Sequence, residues 1–181
     1  MHYRRDYTAG ATYFFTVVMF CRLPLLASPE AVAILREAIR AEKARRAFHI
    51  EAMVILPDHI HALWTLPDND ADYSIRWRNI KRSFSQQIDP IVRPIILDSR
   101  QRKGEQAIWQ RRFWEHRIRS ASDFNHHVDY IHYNPVKHGL VTRVSDWPYS
   151  TFHRDVGLGI YPLEWAGSLE IIALPSGGEL D

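Results

Sequence analysis

The strongest constraint on the fold of this chain is a pair of apolar segments separated by a turn dipeptide. Residues 48–56 and 61–66 are rich in aliphatic and aromatic side chains. Pro57-Asp58 between them is a dipeptide typical of turns. The two segments therefore predict the strands of a β-hairpin.

Two histidines flank one apolar residue at the start of the second hairpin strand. Because side chains alternate between the faces of a strand, His59 and His61 project from one face, while Ile60 projects from the other, toward the core. Two imidazoles on one face can hold a divalent metal ion. The same pattern also fits a pair of partly exposed histidines on an edge strand.

The segments before and after the hairpin predict one further strand and two helices. Residues 12–20 are dense in aromatic and β-branched side chains and predict a buried strand. Residues 28–46 predict an amphipathic helix with Ser28 as its N-cap. Residues 73–87 predict a second helix, whose basic side chains face outward: Arg76, Arg78, Lys81 and Arg82.

The second half of the chain is less regular. Residues 88–104 predict an irregular connection, and residues 108–118 a last strand, or a strand with a bend. A further helix is predicted from Ser122, its N-cap, to Asn134, because Pro135 disfavours helical conformation in the residue before it.

The element order β-α-β-β-α-β-α predicts an α+β fold of the ferredoxin-like, split βαβ type, with helices packed on an antiparallel sheet. Residues 1–145 would form the domain, and residues 146–181 an irregular tail packed on it.

The amino-acid composition indicates the cellular compartment of the chain and the kinds of ligand that it can bind. Arginine outnumbers lysine by 19 to 4 among 23 basic residues, a bias that suits phosphate ligands but also follows from GC-rich coding DNA. The single cysteine, Cys21, fits a reducing compartment. The apolar run 13–20 is too short to span a bilayer and lacks a signal-peptide layout, so we expect a soluble, cytoplasmic protein without a membrane partner.

The helix predicted at 122–134 supplies partners for the two histidines. Tyr130 and Asn134 lie one turn apart on one helix face. An asparagine oxygen can complete a two-histidine metal site, and a deprotonated tyrosine can attack a phosphorus that the metal polarises. Most tyrosines are nevertheless packing residues. Tyr133 is a rival nucleophile, but it lies roughly 100° around the helix from Asn134, against about 40° for Tyr130.

With these residues in place, the chain resembles the HUH single-tyrosine transposases, and among them the REP-associated tyrosine transposases. The resemblance extends from Tyr3 to about Gly167. It rests on the following segments: Tyr3-Arg4-Arg5, His59-Ile60-His61, Phe113-Trp114-Glu115-His116, His127-Val128-Asp129-Tyr130-Ile131, Asn134-Pro135-Val136-Lys137-His138-Gly139, Ser145-Asp146-Trp147-Pro148, Thr151-Phe152-His153-Arg154-Asp155 and Tyr161-Pro162.

The resemblance implies an endonuclease and strand transferase that acts on single-stranded DNA hairpins of the repetitive extragenic palindrome (REP) type. It implies that His59, His61 and Asn134 bind Mg²⁺ or Mn²⁺. It further implies that Tyr130 forms a 5′-phosphotyrosine and releases a 3′-hydroxyl, which can later attack the phosphotyrosine and reseal the strand. A monomer fits the family pattern, and a dimer stays open.

The predicted DNA contacts are basic side chains that reach phosphates and indoles that stack on bases. They are Arg4, Arg5, Trp77, Arg78, Lys81, Arg82, Arg111, Arg112 and Trp114.

Two other functions fit the same pattern. One is a non-catalytic single-stranded DNA-binding regulator on the same fold. The other is an HUH nuclease of the relaxase or replication-initiator type, in which a third histidine commonly replaces Asn134 as a metal ligand.

Overall fold

A four-stranded antiparallel sheet forms the centre of the protein. In a computed structural model, which describes residues 6–89 and 107–167, the strands are β1 (Thr12–Val18), β2 (His49–Ile55), β3 (His59–Thr65) and β4 (Trp114–Arg117). Their order across the sheet is β2-β3-β1-β4. The predicted hairpin is β2-β3, and β3 is an inner strand.

Helices cover both faces of the sheet. Helices α1 (Pro29–Arg45) and α2 (Tyr73–Gln87) pack against one face and against each other, and α3 (Ala121–Lys137) packs against the other face. A short helix, α4 (Phe152–Gly157), follows. The predicted α+β, ferredoxin-like fold is confirmed. No helix within the described ranges combines the length and the hydropathy that crossing a membrane requires.

Alternation along the strands divides the core into two layers. Phe15 and Ile60 belong to the layer under α1 and α2, whereas Phe14 and Leu63 belong to the layer under α3. The sequence therefore predicted correctly that Ile60 and the two histidines point to opposite faces. The histidines face α3.

Two predictions for α2 are wrong. Trp77 is 0% exposed and its ring stacks on Trp64 with 4.2 Å between centroids, so it cannot stack on a DNA base. Arg76 is also buried instead of facing outward. Its guanidinium donates to the Asp70 carboxylate at 2.7 Å and to the Ala47 carbonyl oxygen at 2.8 Å, and these bonds compensate for the burial of its charge.

The boundaries of α3 also differ from the prediction. Ser120, and not Ser122, is the N-cap, because its Oγ accepts the backbone N–H of Asp123 at 3.1 Å. The helix continues through Pro135 to Lys137. Gly139 follows the C-cap His138, and its positive φ of 66° allows two closing bonds, from the N–H groups of Gly139 and Leu140. The C-terminal turn therefore carries Lys137 on the same helix as Tyr130.

Residues after α3 cover the outer edge of β2. The Ile55 N–H donates to the Tyr149 carbonyl oxygen and the Thr151 N–H to the Met53 carbonyl oxygen, both at 2.9 Å. These bonds occupy backbone groups that an edge strand otherwise leaves open to pairing.

A buried hydrogen bond joins α4 to α3. His132 Nε2 lies 3.0 Å from Asp155 Oδ2, and both side chains are buried. Burial alone would raise the pKa of Asp155, but the hydrogen bonds from His132 and Arg154 outweigh it and hold this pKa below the ordinary 3.8. The carboxylate is therefore favoured in the folded state.

We expect Asp155→Asn to lower the free energy of unfolding by about 1.5–3 kcal/mol at pH 7, because a charged hydrogen bond is lost. A depressed folded-state pKa contributes stability above the unfolded-state pKa, and this contribution disappears as the pH falls through the folded-state value. The difference between wild type and variant should therefore shrink below about pH 4. Urea unfolding from pH 7 to pH 3 measures it.

Asp146→Asn is the matched control, since Asp146 pairs with the exposed Arg143. It should cost less than about 1 kcal/mol. A constant deficit for Asp155→Asn across the pH range would contradict the assigned contribution of the charged Asp155 carboxylate.

Candidate active site

The two histidines of β3 form the floor of the candidate site. His59 is 1% exposed and His61 0% exposed, and their ring centroids lie 4.8 Å apart. Their burial on an inner strand excludes the alternative of partly exposed histidines on an edge strand.

One nitrogen of each ring is held by a neighbouring side chain. His59 Nδ1 lies 2.6 Å from Asp58 Oδ1, and His61 Nδ1 lies 3.0 Å from Thr16 Oγ1. Desolvation lowers the pKa of His59, which favours the neutral ring that can bind a metal. A carboxylate on Nδ1 is the usual way of orienting a histidine whose Nε2 binds metal.

Helix α3 brings Tyr130 and Asn134 to the same place. The ring of Tyr130 is 5.3 Å from that of His61, centroid to centroid, and Tyr130 is 4% exposed. Asn134, one turn later, is 0% exposed. The structure thus places Tyr130 beside His61 on the face of the sheet under α3, with the buried Asn134 one turn further along the same helix.

Unsatisfied polar atoms mark this cluster. His59 Nε2 and both amide atoms of Asn134 have no hydrogen-bond partner within residues 6–89 and 107–167. Leaving a buried polar atom unpaired costs about 1–3 kcal/mol, so such atoms in one place indicate a missing ligand. Two imidazole nitrogens and an amide oxygen fit a divalent cation.

A second group of metal-ligand type lies nearby. Ligand atoms of His116, Asp123 and His127 lie within 4.8 Å of one another. The ligand atoms of this group contact each other: His116 Nε2 lies 3.0 Å from Asp123 Oδ2, and His127 Nδ1 lies 3.1 Å from Asp123 Oδ1. The two groups therefore differ, since unpaired ligand atoms are found at His59 and Asn134.

Two residues at the end of α3 were not predicted in the site. Lys137 Nζ donates to Tyr130 Oη at 3.1 Å. The exposed ring of His138 lies 5.1 Å from that of His59, centroid to centroid, so a third histidine is close to the pair. The i to i+7 spacing of Tyr130 and Lys137 could have indicated their contact, but the predicted helix ended before Lys137.

Tyr133 faces away from this cluster. A Cβ atom built on Gly167 would lie 2.8 Å from Tyr133 Cδ2, so this ring packs closely on the backbone near Gly167. Only Tyr130, of the two candidate nucleophiles, has a ring contact with a site histidine in the described part of the chain.

The predicted DNA contacts fall into three groups. Trp114 shares a face with His61, because both lie opposite Thr16 in the sheet, and the exposed Arg111 and Arg112 precede it. Arg78, Lys81 and Arg82 lie on α2, the helix on the opposite face. Arg4 and Arg5 lie outside the described residues.

Comparisons with known proteins agree with one another. The chain is 49% identical over 167 residues to the REP-associated tyrosine transposase of Escherichia coli K12, with 92% of each chain covered. It is 46% identical over 170 residues to a Haemophilus influenzae protein that is assigned provisionally to the same family, with 94% of this chain and 96% of the relative covered.

A solved structure is also similar. It is a REP-associated tyrosine transposase bound to a REP hairpin, with a TM-score of 0.84, 47% identity, and coverage of 100% of this chain and 98% of that one. No family model matches the chain.

Proposed function

This chain belongs to the REP-associated tyrosine transposases, and on that premise we propose that it cuts and rejoins single-stranded DNA at REP-type hairpins. The observation that carries the proposal is the contact of Tyr130 with the His59–His61 pair under α3, with the buried Asn134 one turn further along that helix. A protein that only binds DNA needs no buried cluster of unpaired ligand atoms beside a tyrosine.

Tyr130 is the proposed nucleophile. Its phenolic oxygen attacks a phosphorus of the strand after losing its proton, and the bond between that phosphorus and the 3′ oxygen breaks. The 3′ oxygen takes up a proton and leaves as a hydroxyl, while the 5′ end stays on Tyr130. Attack by a 3′-hydroxyl on this phosphotyrosine reverses the reaction, so rejoining needs no ATP.

His59, His61 and Asn134 are the proposed ligands of Mg²⁺ or Mn²⁺. When bound, the ion polarises a phosphate oxygen and stabilises charge in the transition state. Asp58 and Thr16 orient the two imidazoles. The residues of the chain thus position the phosphate for Tyr130.

Single-stranded DNA is proposed to follow the face of the sheet that carries the site. Trp114 is half-buried on this face, in contact with Phe14 at 5.7 Å between ring centroids. Phe14 in turn contacts Tyr130 at 5.9 Å between centroids. A base stacked on Trp114 would therefore lie near the reacting groups, and Arg111 and Arg112 could bind the adjoining phosphates.

We expect Tyr130→Phe to abolish the covalent protein–DNA band that forms with a REP-type hairpin and Mn²⁺ on a denaturing gel, because the attacking oxygen is absent. Hairpin affinity should stay within about threefold of wild type. Tyr133→Phe is the matched control and should form the band normally. A band that persists in Tyr130→Phe would exclude Tyr130 as the nucleophile. A wild-type protein that binds the hairpin without forming the covalent band would favour the non-catalytic DNA-binding regulator.

We expect His59→Ala and Asn134→Ala to weaken Mn²⁺ binding by more than about tenfold, because each removes a ligand atom. Electron paramagnetic resonance of free Mn²⁺ measures this in the full chain. Asn134→Ala should not lower the stability of the metal-free protein much, since it removes an unsatisfied buried amide.

Asp123→Asn is the control and should leave Mn²⁺ affinity unchanged. Loss of Mn²⁺ binding in Asp123→Asn alone would assign the metal site to His116, Asp123 and His127. Loss in His138→Ala with retention in Asn134→Ala would indicate a three-histidine site of the relaxase or initiator type.

We expect Trp114→Ala to weaken single-stranded hairpin binding by about 1–3 kcal/mol, because one base loses its stacking partner. Trp114→Phe keeps an aromatic ring and should retain most of the affinity. Fluorescence anisotropy of a labelled hairpin measures both. Equal affinity of Trp114→Ala and wild type would remove Trp114 from the DNA-binding surface.

A further inference from the structure

We propose that Lys137 is a catalytic residue whose ammonium group stabilises the negative charge on the oxygen of Tyr130. The proposal rests on the function proposed above, in which Tyr130 is the nucleophile. It assigns to Lys137 the electrostatic part of nucleophile activation, and not the removal of the proton.

The geometry places the ammonium directly on the reacting atom. Lys137 Nζ donates to Tyr130 Oη at 3.1 Å and lies 4.6 Å from the centroid of the Tyr130 ring. The two residues are seven positions apart on α3, hence two turns apart on one face. Lys137 is half-buried, which reduces screening of its charge by water.

The contact exists because of how α3 ends. The helix passes through Pro135 and is closed by Gly139, where the Gly139 N–H donates to Val136 and the Leu140 N–H to Pro135. A helix that stopped before Pro135 would leave Lys137 outside the periodic face that carries Tyr130 and Asn134. The Gly139 turn therefore fixes the lysine relative to the nucleophile.

The charges of the two groups decide which form of Tyr130 the contact stabilises. A phenol is a neutral acceptor, whereas the oxygen of a phenolate carries a full negative charge, so the ammonium attracts the phenolate more strongly. An ammonium has three donors and no lone pair, so it cannot take the proton of Tyr130. That proton leaves to water or to another base, and Lys137 stabilises the anion that remains.

The same stabilisation operates in both directions. In cleavage, the Tyr130 oxygen forms its bond to phosphorus while the bond to the 3′ oxygen breaks. In rejoining, the 3′-hydroxyl attacks, the bond from phosphorus to Tyr130 breaks, and the departing phenolate is again held by Lys137. A lysine that only packed on the ring, or only bound DNA, would not affect both rates in this way.

The test uses the full chain, a REP-type single-stranded hairpin and Mn²⁺ under single-turnover conditions. Lys137→Met keeps the length of the side chain and removes its charge, whereas Lys137→Arg keeps the charge. We expect Lys137→Met to slow formation of the covalent adduct by about 10²–10³-fold, the usual effect of removing one donor to a developing oxyanion. Rejoining of preformed adduct by a strand with a free 3′-hydroxyl should slow as well.

Several measurements separate catalysis from folding and from binding. Hairpin affinity of Lys137→Met should stay within about threefold of wild type, and Lys137→Arg should recover a measurable part of the rate. Lys43→Met, which alters an exposed lysine on α1, is the control and should cleave at the wild-type rate. If Lys137→Met folds poorly, the comparison of Lys137→Arg with Lys137→Gln gives the same test.

Defined results would overturn the proposal. Adduct formation at the wild-type rate in Lys137→Met would show that Lys137 has no catalytic role. A rate loss matched by an equal loss of hairpin affinity would show that Lys137 is a DNA contact. In both cases the wild type still forms its adduct on Tyr130. Absence of an adduct in the wild type would instead overturn the proposed function itself.

Discussion

The packing of α3 across the β3 face of the sheet is the interaction on which the rest of the site depends. The strand presents His59 and His61 to this face, and the helix closes over them with Tyr130 and Asn134. The closure buries polar groups that helix and strand leave unpaired, among them His59 Nε2 and the Asn134 amide. A metal ion is a physical reason for a fold to keep such groups buried.

The orientation of the two imidazoles comes from one residue of the hairpin turn and one residue of the neighbouring strand. Asp58 at the hairpin turn holds His59, and Thr16 on the neighbouring strand holds His61. Burial alone would raise the pKa of Asp58, but its contacts with His59 and Arg22 dominate and keep this pKa below its ordinary value. The carboxylate therefore stays charged and fixes the ring nitrogen that donates to it.

The sequence predicted the strands and helices well because the signals are local. Alternation in β3 placed His59 and His61 on one face, and the four-residue spacing of Tyr130 and Asn134 placed them one turn apart. The wrong predictions concern residues whose environment is set by packing and not by the local sequence. Trp77 and Arg76 are residue types expected on an exposed, DNA-binding helix face. In the structure, Trp77 is buried against Trp64, and Arg76 donates a hydrogen bond to Asp70. Pro135 was read as a helix stop, although a proline near the end of a helix removes only one backbone bond, and Gly139 closes α3 instead.

By itself, the sequence determined the element order, the fold class and the residue types of the site, because strand and helix periods are set over a few neighbouring residues. Its motifs also indicated the family that the comparisons then showed. Only the tertiary structure decided which residues meet. The contact of Tyr130 with His61 depends on the packing of α3 on the sheet, which brings together residues far apart in the chain. The contact of Lys137 with Tyr130 depends on the extent of α3, because the helix continues past Pro135 and carries both residues on one face.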